Sequence, residues 1–68
     1  MKLRINGSSR EVDFGEVATV EALVRIVAPR GVPCAVEVNR QVVPFARRGE
    51  TELRDGDSVE IVTLVGGG

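Results

Sequence analysis

The stretch Val59-Glu60-Ile61-Val62-Thr63-Leu64-Val65 constrains the fold more than any other part of the chain. It is the most apolar run present and is rich in β-branched residues. Val59, Ile61 and Thr63 fall on one face of an extended chain, and Val62 and Leu64 on the other. A strand that is apolar on both sides belongs in the middle of a sheet. The chain has only 68 residues, enough for one domain. The partners of that strand must therefore come from what little sequence precedes it. A domain of this size buries only about 60% of the surface of its unfolded chain, so its core is thin and has no room for a cleft between two lobes.

Those partners are legible. Leu3 and Ile5 alternate with Lys2, Arg4 and Asn6, the period of a half-buried strand. Asn6-Gly7 is a strong signal for a two-residue hairpin turn, since both residues accept positive φ. Val12 and Phe14, alternating with Glu11 and Asp13, suggest the returning strand and place a hairpin over residues 1–14. Thr19 offers a capping hydroxyl. Val20, Leu23, Val24 and Val27 then recur at helical spacing, with Glu21 and Arg25 four apart on the opposite face. Pro29 and Gly31 stop this helix near Ala28 after about ten residues. Cys34, Val36 and Val38 alternate in a third strand, which turns at Asn39-Arg40-Gln41 into a brief Val42-Val43 segment. Residues 44–50 read as a loop, with Arg47-Arg48 as a solvated basic pair, and a short extra strand is expected near 50–53. Arg54-Asp55-Gly56-Asp57 is a tight turn before the last strand.

The order ββ-α-ββ places one helix over one face of a mixed sheet of four or five strands, because neither layer can bury its apolar side alone. With the last strand parallel to the first, this is an α+β fold of the β-grasp type, whose second sheet face stays partly exposed. The expected division is a β-grasp domain over residues 1–65 and a flexible glycine tail over 66–68.

Composition narrows the chemistry. Hydrophobic residues make up 43% and charged residues 28%; nine basic and ten acidic residues give a net charge of −1. The charges are interspersed, so no basic stripe points to nucleic acid. Histidine is absent, which removes the commonest general base and metal ligand. The single cysteine, Cys34, lies on an apolar strand face and reads as a small buried hydrophobe rather than a nucleophile. It fits a reducing cytoplasm, the expected compartment. No run approaches the roughly 20 apolar residues of a membrane span, and no secretory leader is expected ahead of the first strand. Asp55 and Asp57 flank Gly56, so a turn explains them better than a metal site.

What remains is the end of the chain, Leu64-Val65-Gly66-Gly67-Gly68. Three glycines add nothing to a core and cost the most backbone entropy to order. Without Cβ atoms, however, they can pass through a narrow channel. Residues 64–68, extended, reach about 17 Å and carry an α-carboxylate at the tip. A frayed terminus has the same composition, but here it directly follows the central strand of a β-grasp order.

Together with those glycines, the segments Leu3-Arg4-Ile5-Asn6-Gly7, Val36 to Pro44 and Leu53 to Val62 resemble the thiamine-biosynthesis sulfur carrier family (ThiS), whose fold is ubiquitin-like. The resemblance covers essentially the whole chain. One departure is Gly66, a third glycine where the family commonly carries a larger residue such as Gln before its final pair. The resemblance implies a carrier without catalytic side chains or bound cofactor. A ThiF-like adenylating enzyme would use ATP to activate the Gly68 carboxylate. Sulfur relayed from a cysteine desulfurase would convert it to a thiocarboxylate, and a ThiG-like thiazole synthase would receive that sulfur. Gly67 would contribute its lack of bulk, and Leu64, Val65 and Gly66 would contact partners. The small subunit of molybdopterin synthase, a protein-conjugating ubiquitin-like modifier and a carrier for another sulfur-containing metabolite share the fold and tip. A TGS-type β-grasp module, a binding domain of larger proteins, shares the Asp-Gly-Asp turn.

Overall fold

The computed structural model describes residues 1–64; Val65 to Gly68 fall outside the described residues. Five strands form one mixed sheet in the order β2-β1-β5-β3-β4. They are β1 (Lys2–Ile5), β2 (Ser8–Glu11), β3 (Cys34–Val38), β4 (Gln41–Val42) and β5 (Ser58–Thr63), and a single helix, α1 (Val20–Val27), follows β2. The apolar run singled out above thus supplies the central strand, as far as Thr63. It pairs in parallel with β1, Ile5 opposite Val59, and antiparallel with β3, Cys34 opposite Thr63. Its outer face remains exposed, as the β-grasp order requires.

Both hairpins turn on residues at positive φ. Asn6 and Gly7 stand at 50° and 84°, Asn39 and Arg40 at 50° and 69°. The first of these turns shifts β2 away from its expected position. A two-residue loop puts Ser8 directly opposite Ile5, so pairing starts at Ser8 and ends with Glu11 opposite Lys2. Val12 and Phe14 follow the strand rather than form it. Val12 still reaches the core, and Phe14 packs at its margin.

Helix α1 begins where its cap predicts, with the Thr19 hydroxyl accepting from Ala22 N at 3.2 Å. Val20 and Leu23 are fully buried, Val24 and Val27 partly so, and Arg25 pairs with Glu21 on the solvent side. The core lies between this face and Leu3, Ile5, Val36, Val59 and Ile61 of the sheet, with Val43 and Leu53 closing it. The strand expected near 50–53 reduces to one bridge, Thr19 with Glu52; the fifth strand is β4. Residues Phe45–Arg47 form a short 3-10 turn. Among the described residues, no helix is long and apolar enough to cross a membrane.

Candidate functional site

The chain end identified by sequence grows from the most firmly held strand. β5 is hydrogen-bonded on both sides, and two asparagine side chains add to this. The Asn6 amide accepts from Ile61 N at 2.7 Å and donates to Ile61 O at 3.1 Å. The Asn39 side chain accepts from Ser58 N at 3.0 Å. Each asparagine forms a turn and also extends the neighbouring strand's hydrogen bonding to β5. The loop before β5 is equally tied. Asp55 accepts from Lys2 N, Asp57 accepts from Arg54 N and from the Asn39 amide, and Gly56 takes the positive φ of 91°. Both carboxylates therefore have turn-stabilising work.

Leu64 is the last described residue. Its N–H donates to Pro33 O at 2.8 Å, so the backbone is still paired at the point where the tail begins. Of the tail residues singled out by sequence, only Leu64 can be placed, and it is 54% exposed. Val65, Gly66, Gly67 and Gly68 lie outside the described residues.

Next to the tail base is the sheet face that α1 leaves uncovered. Alternation along β5 brings Val62, 55% exposed, onto it, opposite Ala35. Val42 stands opposite Glu37 on the same face. Glu37 in turn is directly opposite Glu60. Like charges in this position destabilise a sheet, and among the described residues neither carboxylate has a cationic partner within salt-bridge distance. The face is therefore apolar near the tail and acidic at its centre.

Cys34 is buried on the inner face, as its alternation suggests. The reading of Arg47-Arg48 as a solvated pair holds only for Arg47. Arg48 is 9% exposed, and its guanidinium donates to the Cys34 carbonyl and lies against Cys34 Sγ at 3.7 Å. The two-residue β4 leaves that carbonyl without a strand partner, and Arg48 supplies the donor. Phe45, on the turn before it, lies over the guanidinium at 5.1 Å and is itself 81% exposed. Nothing local in the sequence marks Arg48, because its place depends on how short β4 is.

Residues 3–68 match the model of the ThiS family. The chain belongs to the ThiS family. ThiS proteins are small β-grasp sulfur carriers of thiamine biosynthesis rather than catalysts. The crystal structure of the thiamine biosynthesis protein ThiS from Geobacter metallireducens superposes with a TM-score of 0.79 at 34% identity, each chain covered in full. A solution structure of a thiamine biosynthesis protein from the same organism gives 0.78 at 32%, covering all of this chain and 88% of that one. In sequence, a thiazole synthase of Paramagnetospirillum magneticum is 41% identical over all 68 residues. This chain spans only 20% of that relative's length, so the relative carries a ThiS-like segment within a much larger protein.

Proposed function

We propose that this ThiS domain carries sulfur on its C-terminal carboxylate for thiazole formation in thiamine biosynthesis. The observation that carries this reading is the position of the glycine tail. It follows directly from the central strand of a ThiS fold, whose last described hydrogen bond is at Leu64. A rigid base and a tip without side chains suit delivery of a carboxylate into a partner's active site.

The chemistry follows from the tip. A carboxylate is a poor electrophile. An adenylating partner using ATP joins the Gly68 carboxylate to AMP and releases pyrophosphate. The outer sulfur of a cysteine persulfide attacks the acyl adenylate and displaces AMP, leaving an acyl disulfide. A second thiol then attacks the persulfide cysteine's sulfur, forms a disulfide with it and releases the thiocarboxylate, which is given up at thiazole synthase. ATP belongs to the partner and the domain itself holds no cofactor. Gly67 acts by its absent side chain. Leu64, Val65 and Gly66, with the exposed Val62 face, make the contact surface. The thiazole synthase relative supports this acceptor over a pterin precursor, because a domain like this one is joined there to the enzyme that would use its sulfur. The cytoplasm, where Cys34 stays reduced, is the compartment this chemistry implies.

The test is ATP–pyrophosphate exchange with the adenylating enzyme, read beside a thermal melt. Amidating Gly68, or adding one residue after it, abolishes exchange and leaves the melting temperature unchanged. Gly67→Val does nearly the same, because a branched Cβ cannot follow glycine through a fitted channel. Normal exchange by the amidated chain would remove the carrier reading and favour a TGS-like binding module.

A further inference from the structure

Arg48 is nine-tenths buried, yet its partners are neutral: the carbonyl and Sγ of Cys34. Its Nε is buried with no hydrogen-bond partner, and among the described residues no carboxylate pairs with it. A guanidinium buried beside neutral groups is left with its desolvation uncompensated. Arg48 lines a groove of 680 Å³ on the helix side of the sheet. Arg25 and Arg30 line it too, and no Asp or Glu is among the described lining residues. Arg25 is engaged with Glu21, so Arg30 and Arg48 carry the uncompensated charge. A second depression, of 420 Å³, shares Val24, Arg25, Phe45 and Arg48 with the first. The two make one longer trough, with Phe45 and Arg48 on the wall common to both.

Charge and shape together specify what fits there. Two guanidiniums without a carboxylate call for an anion. The last turn of α1 ends at the same wall, where Arg25 and Ala28 line the groove, and a helix C-terminus carries partial negative charge. That favours a singly charged carboxylate over a dianionic phosphate. Much of the remaining wall is apolar, with Val24, Ala28 and Pro29 beside Phe45. Phe45 is 81% exposed, and the Arg48 guanidinium lies over its ring at 5.1 Å. An apolar group laid on this ring shields the neighbouring ion pair from water, which strengthens it. We propose that the trough docks an extended segment of a partner protein. Arg48 and Arg30 hold an Asp or Glu side chain of that segment, and Phe45 takes a branched apolar side chain beside it. The length of the trough suits a chain segment better than a compact small acid. Arg48 is already buried in the free domain, so the ion pair forms without fresh desolvation of that charge. The site lies on the helix side of the sheet, away from the uncovered face, and does not depend on the carrier reading.

The experiment is an NMR titration of the full chain at low salt with the peptide acetyl-Leu-Asp-Leu-amide. Acetyl-Leu-Asn-Leu-amide and sodium acetate serve as comparisons. The Asp peptide is expected to shift the Arg48 Nε–H and Phe45 ring signals saturably, with a dissociation constant of about 1 mM. The Val42 and Val62 signals on the uncovered sheet face are expected to stay in place. The Asn peptide is expected to bind about tenfold more weakly, since it lacks the charge-assisted hydrogen bonds. Arg30→Gln and Phe45→Ala are each expected to weaken the Asp peptide about threefold. Both positions are exposed, so these variants decide the matter even where Arg48→Met fails to fold. Absence of a saturable shift, equal binding of the Asp and Asn peptides, shifts centred on Val42 and Val62, or indifference to both variants would overturn the proposal. Acetate binding as tightly as the Asp peptide would make this a small-anion site and overturn the protein segment as its occupant. None of these readouts involves sulfur loading, so either reading can fail without the other.

Discussion

Asn6 answers two demands at once. It adopts φ of 50° in the first turn, and its amide bonds both backbone groups of Ile61, 55 residues away. Asn6→Gly separates the two, since glycine accepts the turn and loses the amide. Two net hydrogen bonds are worth about 2 kcal/mol together. The urea midpoint is expected to fall accordingly with an unchanged slope; an unmoved midpoint would show that the turn alone explains this residue. The turn role was legible in the sequence because positive φ before Gly7 is local chemistry. The bond to Ile61 was not, because it joins residues that only the sheet register brings together. Arg48 is the same lesson in reverse. Beside Arg47 it looks solvated, and its burial follows from a strand that stops at Val42.

Elements were readable where one rule governed them. Alternation marked β1, β3 and β5, and helical spacing with a Thr cap marked α1. At β2 two rules competed. The turn fixed the register and won over the apolar alternation at Val12 and Phe14, so the strand formed from Ser8 to Glu11, all exposed. This edge is tied to the chain start by the Met1 ammonium, which donates to the Glu11 carboxylate at 2.5 Å. That hydrogen bond raises the ammonium pKa above its ordinary 8.0. A raised pKa in the folded state stabilises below the unfolded value and loses its effect as pH rises through the folded one. The melting-temperature difference between wild type and Glu11→Gln is therefore expected to be small at neutral pH and to shrink above pH 8. A difference constant across that range would remove the ammonium from the account. On the uncovered sheet face, Glu37→Lys turns a repulsive cross-strand pair with Glu60 into an attractive one. It is expected to stabilise by about 0.5 kcal/mol and yet to weaken pyrophosphate exchange, if the partner meets this face with basic groups. Improved stability with unchanged exchange would place the partner contact elsewhere.

On the proposed carrier reading, the molecule as a whole separates support from chemistry. Among the described residues, eight core residues of the other segments and the buried Cys34 surround Val59 and Ile61 of the central strand, and the proposed reacting carboxylate belongs to the chain end rather than to this core. Cys34 belongs to the packing. On the proposed reading, a domain with a thin core takes part in ATP-driven chemistry that its partner catalyses. The most direct measurement is intact-protein mass after incubation with adenylating enzyme, ATP, a persulfide source and a thiol reductant. Wild type and Cys34→Ser are both expected to gain the mass of one oxygen-to-sulfur exchange, located by fragmentation at Gly68, while the Gly68 amide gains nothing. Sulfur found on Cys34, or loading that persists in the amide, would contradict the assignment of the chemistry to the chain end.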